Sequence, residues 1–383
     1  MVKPTRPPAN GFVSAMRKVY NPLGFGKGYN FVLWFITIGY LLGFTLARLQ
    51  YLSFYGIFCN PDPTKAGAAP GECYYYLQNP FKTAMMLHLF TILPAAFLVC
   101  FQFVPAIRHK VRLFHRINGY VVVLLSLTAN AGAIVVAPHA FGGDLATQTY
   151  VGAAVISTTI SYAIAWVNIR RLQIDQHRAW MMRTWAYFAS IITIRLIQLS
   201  IAPIISHLNG YYVTKPCAVI NSVIGPEGTL AYYPGWYDIE NMVSHEISAD
   251  RTQQNVSQPF FDGTNLYERV IVKANNFSED PLEISAAAGI GFGAAGWVAL
   301  WLHAITIEVY LRLTPAESER LRQVSYERQI ERGFKNPGSA GLVAQRLGDA
   351  NPYVPRSQYE AVSPDELNML RKDGRKVVSE DSH

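Results

Sequence analysis

Four residues in this sequence have chemistry that packing alone does not use: His88, His115, His177 and Arg195. Each lies in or beside an apolar stretch long enough to cross a bilayer, where an ionisable side chain is expensive unless it is paired or wet. Arg195 has about fifteen mostly apolar residues before it and about ten after, so snorkelling to either surface is difficult. It requires a partner, water or a bound anion. His177 precedes it by five helical turns, which puts the two on one face about 27 Å apart along the axis. The competing reading is structural, with Arg195 bonding carbonyls of neighbouring helices to lock the bundle.

The histidines suggest two chemistries. His115 and His177 each open a span from the same surface, and those spans are diagonal neighbours in an up-down four-helix core. Facing histidines at one depth can hold a haem iron between axial imidazoles, so haem b between His115 and His177, with Arg195 as propionate or anion partner, is the first expectation. Each is followed by arginine, Arg116 or Arg178, which equally describes a solvated basic turn or a lipid-phosphate contact. His88, with His139 and His207, lies toward the opposite surface. A second chemistry makes His88 the acid or base and Arg195 the anion holder of an enzyme acting on a membrane-embedded lipid or prenyl-type metabolite. No span pairs ligands at zinc-binding i, i+3 or i, i+4 spacing, so no metal beyond haem iron is expected.

The elements that must position these residues are membrane spans. Half of the 383 residues are hydrophobic and 15% are charged, with the apolar residues clustered, which excludes an ordinary soluble domain. The fold class is all-α: a polytopic membrane protein with six spans, a four-helix core in spans two to five, and a long extracytoplasmic loop. The segments are a flexible basic arm (1–28), a first span (29–50), an outer loop (51–83), the core (84–206), an outer loop or cap (207–283), a sixth span (284–310) and a tail (311–383). Nearly thirty residues, basic and rich in Pro and Gly, precede the first span, so no cleavable signal is expected.

The net charge of +7 would suggest nucleic acid in a soluble chain, but here the basic residues sit in short loops beside spans. The partner expected is the lipid bilayer, with a small hydrophobic or anionic ligand, and not nucleic acid. The arm and the two basic turns fall on one side, predicting both termini in the cytosol of a eukaryotic endomembrane or plasma membrane. Loop 207–283 carries ten acids against four basic residues, as a translocated segment would. Its sequons make Asn255 and Asn276 candidate glycosylation sites. Cys59, Cys73 and Cys217 map to the same side; Cys59 with Cys73 is the favoured disulfide, with Cys217 able to tie the two loops instead.

Other polar residues form stripes: His88, Thr91 and Gln102 in the second span, Asn118, Ser126 and Asn130 in the third, and Ser157, Thr158 and Ser161 in the fourth. Interhelical hydrogen bonding explains such positions best. Gly289, Gly293 and Gly296 give the sixth span a surface for close packing, and His303 and Glu308 follow, free to pair with core arginines. No internal repeat and no pair of broken half-helices argues for a transporter, although Pro94 and Pro203 can kink their spans. In the tail, Thr314, Pro315 and Glu317 predict a capping box that opens a helix to about Arg332, with disorder beyond Gly333.

The succession of His88 in a span ending Gln102-Phe103-Val104-Pro105, then Phe114-His115-Arg116-Ile117-Asn118-Gly119-Tyr120, then His177-Arg178-Ala179-Trp180-Met181-Met182-Arg183 with Arg195-Leu196, resembles domain of unknown function 2306. The likeness covers residues 84 to about 200, and the extra first and last spans with the long loop resemble the fungal type. It implies that His88, His115, Arg116, His177, Arg178, Arg183 and Arg195 form the family's polar signature, and it implies no activity. In plan the core also resembles the di-haem bundles of cytochrome b561-like proteins, as analogy only. The fourth span has no histidine to face His88, which leaves one haem at most on this likeness. The functional expectation is a haem b membrane oxidoreductase or electron carrier; the alternatives are an enzyme of a lipid or prenyl-type metabolite, and a transporter or scaffold.

Overall fold

The computed structural model describes residues 7–62, 65–233 and 269–355. Helices α1 (Gly11–Tyr20), α2 (Gly28–Arg48), α3 (Glu72–Tyr76), α4 (Phe81–Gln102), α5 (Pro105–Lys110), α6 (Arg112–Val136), α7 (Leu145–Arg170) and α8 (Ile174–Leu208) lead to strand β1 (Tyr212–Pro216). Helix α9 (Cys217–Tyr232), strand β2 (Arg269–Lys273), helices α10 (Pro281–Leu313) and α11 (Pro315–Glu331), and a short α12 (Ala344–Leu347) follow. Among the described residues six helices, α2, α4, α6, α7, α8 and α10, are long and apolar enough to cross a membrane. The protein is an all-α polytopic membrane protein.

By contact, the chain forms two compact units, Met1–Ile156 with Phe188–His303 and Ser157–Tyr187 with Ala304–His383. In the first, α4 and α6 pack so closely that a Cβ on Gly132 would lie 2.6 Å from the Ala84 carbonyl oxygen. Small residues permit that approach where lipid supplies no hydrophobic drive between helices. Gly289, Gly293 and Gly296 do the same along α10: their Cβ positions would fall on the Phe141 carbonyl, the Thr147 amide and the Tyr150 ring. Interhelical bonds from side chains add to this. Asn118 donates to the Leu98 carbonyl and Gln102 to the His115 carbonyl, so these polar stripes act as glue between α4 and α6.

One end of the first unit carries a folded cap. Cys59 and Cys73 form a disulfide, and Phe54, Phe58 and Tyr76 pack on Ala84, Met85 and Leu89 of α4. Cys100 and Cys217 are buried thiols. Strands β1 and β2 pair antiparallel, Tyr212 opposite Lys273, and with α9 cover Ala202, Ile205 and Ala286 at the ends of α8 and α10. The expected cap thus has regular structure. Asn276 lies after β2 and donates its backbone N–H to Ser206, whereas Asn255 lies outside the described residues.

Three expectations are corrected. The arm is not without structure: Asn10 caps α1 through the Val13 amide, and the helix displays a strongly amphipathic face. Thr314 makes no cap bond; its hydroxyl turns back to the Tyr310 and Leu311 carbonyls, because the chain leaves α10 without the extended entry a capping box needs. Residues beyond Gly333 are ordered as far as Pro355 in the second unit. There α11 presents Leu321, Ser325 and Gln329, four residues apart, as its buried stripe. Gln173, in the α7–α8 turn, gives its amide N–H groups to Asp175 and the Gly338 carbonyl and accepts from Gln329 and Gly341. Gly341 has no room for a side chain, since a Cβ would sit 2.4 Å from the Asn168 oxygen. Local composition of the tail is polar, but these pairings bury it.

Candidate functional site

Arg195 stands at the centre of the charged groups under the cap of the first unit. Its Cζ lies 4.5 Å from the Phe141 ring centroid and 5.5 Å from that of Phe292, and the two rings stack at 4.3 Å. Cation–π contact of this kind lowers the cost of the charge without consuming its N–H groups. Nη1 donates to Gln198 Oε1 at 3.0 Å, and Gln198 is itself fixed by donating to the Ala288 carbonyl of α10. Arg195 Nε is buried with no hydrogen-bond partner. A guanidinium has five donors, so most of its capacity is unspent.

The opposing carboxylate is Glu72 of α3, which interacts with Arg195 through charge and not through an ion pair in contact. Its oxygens are already occupied. Oε1 accepts from the Phe141 amide at 2.6 Å, Oε2 from the Ala69 amide at 2.9 Å, and Tyr76 adds a hydroxyl bond. Burial pushes the Glu72 carboxyl above the ordinary carboxylate range, against the opposing pull of those amides and of Arg195 and Lys215. The geometry depends on Phe141, a non-glycine residue with φ of 50°, followed by Gly142 and Gly143 at positive φ. That left-handed backbone points the Phe141 N–H at Glu72 while its ring meets Arg195, a strained arrangement held by what surrounds it.

Two further cations belong to the cluster. Arg48, at the end of α2, interacts with Arg195 by charge, bonds the Tyr51 hydroxyl at 2.8 Å and lies over the Phe44 and Tyr51 rings. Lys215 of β1 donates to Ser285 at 3.3 Å, and burial depresses its pKa despite Glu72 and Asp280. Asp280 is engaged by the Tyr233 hydroxyl, whose own pKa is raised. Glu72 thus has two cations within electrostatic reach, Arg195 and Lys215, while Arg48 acts on Arg195, whose open donors lie beside stacked aromatic rings. This is chemistry for holding a carboxylate or phosphate attached to an apolar body.

The histidines have separate settings. His88 Nδ1 donates to the Ala129 carbonyl of α6 at 2.9 Å, and His177 Nδ1 donates to the Ala165 carbonyl of α7 at 3.0 Å. A carbonyl only accepts, so each imidazole carries its proton on Nδ1 when neutral and presents Nε2 as the acceptor. His139 stacks on Tyr75 at 3.9 Å, His207 packs near Phe277 at 5.1 Å, and His303 bonds Thr193 at 2.8 Å. His115 belongs to the first unit and His177 to the second. Glu308 takes a bidentate ion pair from Arg183, which also lies over the Trp180 ring. Among the described residues no three His, Cys, Asp or Glu side chains are grouped as metal ligands.

Sequence reasoning missed Glu72, Phe141, Lys215 and Phe292. The one local signal was the Phe141-Gly142-Gly143 turn, since consecutive glycines after an aromatic residue mark a backbone that side chains disfavour.

With this geometry in view, comparison with known proteins identifies the framework. Residues 85–225 match the model of a predicted membrane protein family, DUF2306. Across that segment the chain is similar to the family. The matched segment starts in α4 and ends in α9, so it contains His88, His115, His177, Arg195 and Lys215 and leaves out Glu72, Arg48 and Phe292. A protein of Aspergillus versicolor called Ava biosynthesis cluster protein G is 23% identical over 358 residues, covering 81% of this chain and 96% of that protein. No solved structure matches.

Proposed function

We propose that the protein binds a hydrophobic metabolite with an anionic head group, a carboxylate or phosphate, and presents it for a biosynthetic step in the membrane. The carrying observation is Arg195, whose buried Nε lacks a partner while its guanidinium rests on Phe141 and Phe292. Glu72, saturated by backbone N–H groups and Tyr76, balances charge without competing for those donors. Arg48 and Lys215 add positive potential at the extracytoplasmic mouth that the distribution of basic loops predicts. The name of the Aspergillus relative refers to a biosynthesis cluster, which fits a chain that handles a small metabolite.

The test is mass spectrometry of organic extracts from the purified protein and from Arg195→Gln. Anionic hydrophobic species enriched with the native protein and lost with the variant support the reading; matching extracts overturn it.

A second reading, a haem b electron carrier using His115 and His177, has one feature in its favour. The Nδ1 bond from His177 to the Ala165 carbonyl is the outer-shell support that orients a metal-ligating imidazole. When bound, haem would supply one-electron chemistry, and His115 and His177 are the residues that would hold it. A dithionite-reduced spectrum of protein expressed with ample haem decides it. A b-type spectrum lost in both His115→Ala and His177→Ala sustains the reading, and a featureless one removes it.

A further inference from the structure

A second cationic site lies at the start of the chain. Helix α1 and the beginning of α2 enclose a groove of ≈ 730 Å³, within the range of ligand-sized pockets. Its walls are apolar, from Phe12, Val13, Met16 and Val32, and its cations are Arg17 and Lys27. No acid offsets them, because the first acidic residue in the chain is Asp62. Phe12 is 74% exposed although it opens an amphipathic helix, so among the described residues its ring is left largely uncovered.

The polar atoms there also have spare capacity. Of the residues lining the groove, Arg17 has a buried Nε without a hydrogen-bond partner among the described residues, and buried polar groups are normally satisfied. The elbow between α1 and α2 is fixed. The Ala106 amide donates to the Leu23 carbonyl at 2.9 Å, and Gly24, at φ +94°, allows the approach to Pro105 and Ala106 of α5. Helix α5 contributes Arg108 and Lys110, so α1 lies at a basic end of the first unit, directly ahead of a membrane-crossing helix. An amphipathic basic helix at that position lies in the plane of the lipid interface.

We propose that the groove between α1 and α2 holds an anionic phospholipid, with Arg17 and Lys27 on the phosphate and Phe12, Met16 and Val32 along the acyl chains. Phosphate oxygens accept from Arg17 Nε and from the Lys27 ammonium. This groove shares no residue with the Arg195 cluster.

The experiment is native mass spectrometry of the full chain released from nanodiscs of phosphatidylglycerol and phosphatidylcholine. The native protein is expected to retain phosphatidylglycerol selectively. The Arg17→Gln/Lys27→Gln double variant should retain about tenfold less, the change that 1.4 kcal/mol produces. Phe12→Ser/Met16→Ser should also lose lipid, while Arg17→Lys/Lys27→Arg keeps most of it and shows that the elbow still folds. Equal retention by the charge-removed variant overturns the proposal. So does displacement of the lipid by millimolar inorganic phosphate, which would make this a free-anion site, or loss of selectivity for phosphatidylglycerol over phosphatidylcholine.

Discussion

Two buried polar sites, one in each unit, use their hydrogen bonds in opposite ways. In the second, Gln173 uses both amide protons and accepts two hydrogen bonds, and Gln329 bonds the Arg171 carbonyl, Gln173 and the Gly338 amide. In the first, Arg195 sits under the cap with one bond to Gln198 and an unpartnered Nε. A polar group with its bonding filled specifies structure; one with unspent donors beside apolar rings is equipped for something that arrives from outside. The contrast separates fold from function in a chain where nearly every helix carries some polar residue.

The largest expected effect breaks the filled network. Gln173→Ala strands Gln329, Gly341 and the Gly338 carbonyl, and should cost about 3 kcal/mol or more of stability. Thermal unfolding in detergent measures it, and ligand capture at Arg195 by the protein that remains folded should be unchanged. A stable Gln173→Ala protein would mean that the network is decoration.

Arg195→Gln should behave in reverse. Loss of charge-assisted bonds to an anion, worth about 1.5–3 kcal/mol each, lowers affinity by roughly ten- to a hundredfold. The melting temperature without ligand should hold or rise, since a buried charge with few bonds is removed. A large fall in stability would instead identify Arg195 as a lock of the bundle.

Glu72 sharpens the comparison through pH. Its carboxyl is raised by burial, so the folded state binds its proton more tightly than the unfolded chain. The stability this contributes is complete below the unfolded value of 4.5 and is lost as pH rises through the higher folded value. Relative to Glu72→Gln, the native protein should therefore gain melting temperature as pH falls from neutral toward 4.5. An opposite trend would show that Arg195 and Lys215 outweigh burial.

The smallest effect belongs to Thr314→Ala. With no cap bond to lose, the change should stay within about 0.5 kcal/mol by thermal unfolding, against about 1 kcal/mol for a working cap.

Much of the fold was legible because a bilayer imposes long apolar runs, and α2, α4, α6, α7, α8 and α10 match the expected spans to within a few residues at their ends. Arg195 was legible for the same reason: a cation amid apolar residues is conspicuous. Its neighbours were not. Glu72 and Lys215 come from loop segments whose polarity is ordinary there, and only the cap's folding brings them near α8. The tail misled in the opposite direction. Its Gly and Pro content resembles disorder, yet Gly338 and Gly341 permit backbone contact with glutamine side chains 9 and 168 residues away in sequence. Hydrogen bonds between distant segments leave no periodicity to read.

Isothermal titration calorimetry with geranylgeranyl phosphate and geranylgeraniol, against the native protein and Arg195→Gln in one detergent, tests the central claim most directly. The account predicts that the native protein binds the phosphate at least about tenfold more tightly than the alcohol, and that the variant loses this preference. Equal affinity for the two ligands in the native protein, or a phosphate preference that survives in Arg195→Gln, would contradict it.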